Sequence, residues 1–108
     1  MPNIKIFVDE AKYEAARGEA LMQALRRLVC AELSVPPAAC QLAIMPVQAL
    51  ADQPQVNAEL AILRHPDRGV AVLQGLAQKV QDLVAADLGL SVAVRITSLD
   101  PAHYLALK

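Results

Sequence analysis

Met1-Pro2-Asn3-Ile4-Lys5-Ile6-Phe7-Val8 opens the chain, and this stretch decides among the folds that the remaining sequence allows. From Asn3 to Val8 apolar side chains recur at every second residue. Ile4, Ile6 and Val8 share one face, with Lys5 and Phe7 on the other, which is the period of a half-buried β-strand. Pro2 sits at the start of that strand, where a residue without an N–H is tolerated. Asp9 and Glu10 end the run and place negative charge where a helix could begin.

Beyond the strand the period changes to helical. From about Lys12 to Leu33, Leu21, Leu25 and Leu28 fall on one stripe, widened by Met22, Val29 and Leu33, while Glu14, Arg17, Gln23, Arg26 and Arg27 lie mostly off it. Gly18 weakens this helix slightly. Ser34-Val35-Pro36-Pro37 stops it, because neither proline can continue a hydrogen-bonded helix. A second strand follows over Ala39 to Met45. Pro46 to Val56 reads as a connection punctuated by Pro46, Asp52 and Pro54. Asn57 to Arg64 reads as a third strand and His65-Pro66-Asp67 as a turn, with Asp67 the expected N-cap of a helix from about Arg68 to Leu88. Val70, Leu73, Leu76, Val80, Leu83 and Val84 form its apolar side, and Gly89 stands where a C-terminal glycine belongs. Ser91 to Thr97 is the fourth strand, with Val92, Val94 and Ile96 opposite Ala93, Arg95 and Thr97. A turn at Asp100-Pro101 leads into a short tail, His103 to Leu107.

The order is β-α-β twice, a duplication in layout although the two halves share few residues. It predicts an α+β domain over residues 1–108: two βαβ units forming a four-stranded mixed sheet with two helices on one face. The other face is left bare, so a partner chain is expected to cover it. The composition agrees, since 56% of the 108 residues are hydrophobic, above the roughly 45–50% of ordinary soluble domains. Much of the excess is alanine.

Charge excludes several partners. The formal net charge is -1, basic and acidic residues are interspersed, and aromatics make up 3%. This argues against nucleic acid and against a polybasic membrane surface. No apolar run is long enough to span a bilayer and no signal-peptide layout is present, so the expected location is cytoplasmic. Cys30 and Cys40 lack a CxxC spacing and read as two small buried hydrophobes; neither a metal nor a cofactor is expected.

Two folds share this element order, the ferredoxin-like fold and the tautomerase fold. Met1-Pro2 followed directly by strand residues Asn3-Ile4-Lys5-Ile6 resembles the start of a tautomerase. Val35-Pro36-Pro37 and the strand Gln41-Leu42-Ala43-Ile44-Met45-Pro46 resemble the macrophage migration inhibitory factor branch of that superfamily. His65-Pro66-Asp67-Arg68-Gly69 is similar to small tautomerase-like proteins and to the carboxymethyl-hydroxymuconate isomerase branch. The resemblance implies a homotrimer in which the initiator Met is removed and Pro2 becomes an N-terminal catalytic base. It implies a tautomerase or isomerase acting on a small 2-oxo acid, enol or unsaturated dicarboxylate, with no cofactor. An ordinary α-amino group titrates near pH 8, and burial or nearby cations lower that value, leaving a neutral secondary amine able to take a proton from carbon beside a carbonyl.

Candidate partners for a substrate carboxylate or developing enolate are Arg64, Arg68 and Arg95. Lys5 would depress the pKa of Pro2, and Tyr104 would close the pocket. The chain departs from the superfamily pattern at three places: Asp9 and Glu10 stand where an arginine is frequent, Gln41 replaces an arginine of the second strand, and Val35 replaces the lysine before the double proline. The alternative reading is therefore a non-catalytic tautomerase-like or ferredoxin-like module that binds a small ligand or assembles with itself.

Overall fold

The computed structural model describes residues 2–108. Four strands, β1 (Asn3–Asp9), β2 (Gln41–Val47), β3 (Val56–Leu63) and β4 (Val92–Leu99), and two helices, α1 (Gly18–Leu33) and α2 (Val70–Leu88), follow the expected β-α-β, β-α-β order. The strands form one sheet in the order β2-β1-β3-β4. β1 runs parallel to β2, β3 runs parallel to β4, and the central β1–β3 pair is antiparallel. The sheet is mixed, as the duplicated layout requires.

Register makes every second residue of each strand share a face. Ile4 lies beside Leu42 and Leu60, and Leu60 beside Ile96; Ile6 lies beside Ile44 and Ala58, and Ala58 beside Val94. These residues meet Leu21, Leu25 and Val29 of α1 and Leu76, Val80 and Val84 of α2 in one continuous apolar cluster. Both helices thus cover the same face. Fully burying an aliphatic side chain of this kind contributes about 1.5–3 kcal/mol, and among the described residues twelve large side chains are less than 2% exposed.

Several boundaries differ from the sequence reading. α1 starts at Gly18 rather than Lys12: Asp9 accepts a hydrogen bond from the Ala11 N–H (3.0 Å) and folds the chain into a turn, and a single 3-10 turn over Ala15–Arg17 precedes the helix. Asp67 does not cap α2. Gly69 holds the N-cap position with no side-chain cap, and the Asp67 N–H instead donates to His65 Nδ1 at 3.1 Å. Val70, placed on the apolar side, is 74% exposed. β2 begins after a 3-10 turn at Pro37–Ala39 and continues through Pro46. Pro46 is tolerated because β2 is an edge strand, where the missing N–H need not serve a ladder. Gly89 ends α2 in the left-handed conformation (φ 66°), as expected of a C-terminal glycine. Ser34 does the same for α1 at φ 56°. Among the described residues no helix is long and apolar enough to cross a membrane.

Candidate functional site

β1 begins and β3 ends at the same edge of the sheet, so Pro2 lies at the end that also holds the start of β2, the end of β4 and the turn after β3. Pro2 is buried. The Gln41 N–H donates to its carbonyl at 3.0 Å, so the first residue of β2 fixes the backbone of Pro2. Gln41 also lines a cavity of about 540 Å³ between α1 and the open edge of β2, with Met22, Arg26, Cys40 and Lys108 among its walls.

The sequence-predicted partners are distributed around this end. Arg64 follows β3 one strand away from Pro2, and its N–H donates to the Leu99 carbonyl at 2.8 Å. Its charge is near enough to contribute to the lowered pKa of Asp100, which is held down chiefly by the Ala102 N–H and then by His103. Arg68 lies towards the helices: its guanidinium donates to the Leu63 carbonyl at 3.0 Å, and it lines a cavity of about 340 Å³ with Glu32, Ser34, His65 and Asp67.

Lys5 and Arg95 are on the bare face, where the alternation of β1 and β4 places them. Lys5 pairs with Glu59 across β1–β3, and Glu59 pairs with Arg95 across β3–β4. The bare face therefore carries a transverse row of positive, negative and positive side chains, all exposed. Arg95 donates to Asn57 Oδ1 and lines a cavity of about 280 Å³ with Gln53, Pro54, Asn57 and Ala93. Pro2 shares its parity with buried Ile4, so Lys5 and Arg95 stand on the opposite side of the sheet from the Pro2 ring. Within one protomer Arg95 is two strands, or about 10 Å, across from β1. Tyr104 is 37% exposed in the tail beyond β4. The protomer alone thus brings Pro2 and Arg64 to one sheet end and leaves Arg95 on the bare face.

Sequence reading missed two contributors. Arg26 lies off the apolar stripe of α1, yet α1 packs so that it enters the cavity beside Gln41, where its charge acts on the Cys40 thiol. Cys40 itself stands directly before Gln41 and lines the same cavity. Only the register of β2 against β1, a long-range pairing, brings these residues beside Pro2.

No family model matches the chain, and no curated protein does so by sequence. Solved structures match closely in shape. A member of the cis-3-chloroacrylic acid dehalogenase family superposes with a TM-score of 0.79 at 18% identity, over 96% of this chain and 79% of that one. A native fused 4-OT superposes with a TM-score of 0.79 at 14% identity, over 96% of this chain and 91% of that one. A macrophage migration inhibitory factor-like protein from Entamoeba histolytica gives a TM-score of 0.73 at 12% identity, over 97% and 94% of the two chains. The resemblance first drawn from the N-terminal residues holds for the fold: the chain has the architecture of the tautomerase superfamily.

Proposed function

We propose that a chain with this fold, opening in Met1-Pro2, is a tautomerase or isomerase of small carboxylates that uses Pro2 as its base once Met1 is removed. The observation that carries this reading is the seat of Pro2: buried, and anchored through its carbonyl by Gln41, a residue that lines a cavity of about 540 Å³. A secondary amine in such a seat is disfavoured in its charged form. It takes a proton from the carbon beside a substrate carbonyl, negative charge develops on the oxygen, and the protonated amine returns the proton at another carbon or oxygen. Arg64, from the same sheet end, stabilises that charge or holds a carboxylate. Arg26 does so from the cavity wall. The substrate class is a 2-oxo acid, an enol or an unsaturated dicarboxylate.

The assembly we propose is a homotrimer, in keeping with a fused 4-OT structure described as an asymmetric trimer that superposes with a TM-score of 0.75 at 13% identity, over 96% of this chain and 91% of that one. The bare sheet faces would be covered there, and Lys5, Arg95 and Tyr104 would serve a pocket built with a neighbouring protomer. We place the protein in the cytoplasm.

A non-catalytic binding module is the second reading, favoured by the engagement of Arg68 with a backbone carbonyl and by the Gln41 and Val35 departures. Turnover separates the two. With phenylenolpyruvate or a hydroxymuconate as substrate, Pro2→Ala is expected to lose about 10²–10⁴-fold in kcat/KM, the usual contribution of a positioned acid–base group. Equal turnover by the parent and Pro2→Ala would remove Pro2 from the chemistry and favour the binding module.

A further inference from the structure

β4 ends at the same sheet end as Pro2, and the turn that follows it is held by the side chain of Asp100. The Asp100 backbone carbonyl accepts the His103 N–H at 3.0 Å. One carboxylate oxygen accepts the Ala102 N–H at 3.0 Å, and the other stands 3.0 Å from His103 Nδ1. One oxygen thus fixes the turn and the other fixes the ring. The carboxyl is held below the ordinary carboxylate range by the Ala102 N–H first and His103 second, with Arg64 adding to the effect. An ionised carboxylate can only accept, so the neutral imidazole keeps its proton on Nδ1 and leaves Nε2 for another partner. The ring is 84% exposed in the protomer, which leaves Nε2 open to a small molecule. The chain's other histidine is arranged the opposite way. The Asp67 N–H takes up His65 Nδ1 at 3.1 Å, so the neutral ring of His65 carries its proton on Nε2 and has no free acceptor.

Register places this pair beside the proposed base. Asn3 lies opposite Ala61 and Leu63 beside Leu99, and the Arg64 N–H donates to the Leu99 carbonyl at 2.8 Å. Pro2 precedes β1, Arg64 follows β3 and Asp100 follows β4, so the three stand in line across one sheet end with Arg64 in the middle. Two strand spacings separate Pro2 from Asp100, about 10 Å. We propose that His103, positioned by Asp100, is the second proton-transfer group of the reaction in which Pro2 is the base. The inference rests on that reading and narrows its substrate to an unsaturated 2-oxo acid whose double bond migrates. Pro2 takes a proton from the carbon beside the carbonyl, and the C–H electron pair passes into the conjugated system. A new C–H bond forms at the far carbon with the Nε2 proton of the His103 imidazolium, and the N–H electron pair stays on Nε2. Water then returns a proton to His103 and takes one from Pro2, so the balance closes on protons alone. Arg64, between the two groups, holds the carboxylate or the charge that develops in transit.

The test combines turnover of a hydroxymuconate with the ring nitrogen NMR spectrum of the intact chain. His103→Gln is expected to lower kcat by about 10²–10⁴-fold with KM little changed, and His65→Gln to leave both constants as they are. Added imidazole should restore part of the turnover of His103→Ala and none of that of Pro2→Ala. Asp100→Asn should lower kcat less than His103→Gln does, again without a rise in KM. In the spectrum the neutral His103 ring is expected as the Nδ1–H tautomer, and Asp100→Ala should move it towards Nε2–H. Parent-like kcat in His103→Gln, with Pro2→Ala inactive, would overturn the part given to His103 and leave that of Pro2 standing. Turnover unaffected by Pro2→Ala, or a parent that does not turn over the hydroxymuconate, would overturn both. An Nε2–H tautomer in the parent would overturn the positioning by Asp100.

Discussion

Cys40 and Arg26 are the residues whose roles depend most on long-range pairing. The folded chain holds Cys40 protonated, its pKa moving from 9.0 to about 11 through burial first and Cys30 second. The folded state then binds more protons than the unfolded state between those values, so stability must fall as pH rises through this window and be fully present below it. Denaturant midpoints measured from pH 8 to 11 should decline more steeply for the parent than for Cys40→Ala. For Arg26, removal of a charged hydrogen-bond partner is worth about 1.5–3 kcal/mol. On the proposed function, Arg26→Ala should raise KM for a carboxylate substrate by about 10–100-fold with a smaller change in kcat; unaltered steady-state constants would exclude it from the pocket. Lys5 and Arg95 were legible in the sequence because strand alternation assigns each to a face, and Pro2 through its place directly before the first strand. Arg26 was not, because an edge cavity exists only once β2 has been laid beside β1.

At the scale of elements, identity and order were legible and ends were not. Leu21, Leu25 and Leu28 announce α1 through their spacing, whereas its start is set by Asp9 capturing the Ala11 N–H, a local bond that competes with helix. Pro46 read as a break and proved to be strand, since only the sheet order reveals that β2 is an edge. Two glycines test the helices against each other. Gly75 lies in exposed mid-α2, and a Cβ there meets nothing within 4 Å; Gly75→Ala should raise stability by about 0.5–1 kcal/mol. A Cβ on Gly18 would stand 2.6 Å from the Tyr13 hydroxyl, so Gly18→Ala must displace Tyr13 and should show no such gain. Thermal melts of the two variants check this pair, and equal stabilisation would contradict the packing of Tyr13 over the start of α1.

For the whole molecule, the layout predicted the single helical layer and the bare face, and the structure adds the charged row Lys5–Glu59–Arg95 running across that face. If this face is buried between protomers, reversing the central charge places three cations side by side, and like charges directly opposite across strands destabilise a sheet. Glu59→Lys should shift the native mass from trimer towards monomer, whereas an unchanged assembly would place the interface elsewhere. The bases of the proposed chemistry and of the superfamily resemblance converge on one atom, the nitrogen of Pro2. It is an amine only if Met1 has been removed; otherwise it is an amide with no basicity to offer. The most direct measurement is therefore the intact mass of protein expressed without a tag and kept reduced. A mass short of the full sequence by one methionine is the expected result and leaves Pro2 with a free amine. A mass that still includes Met1 would contradict the proposed base and leave the fold as a binding module.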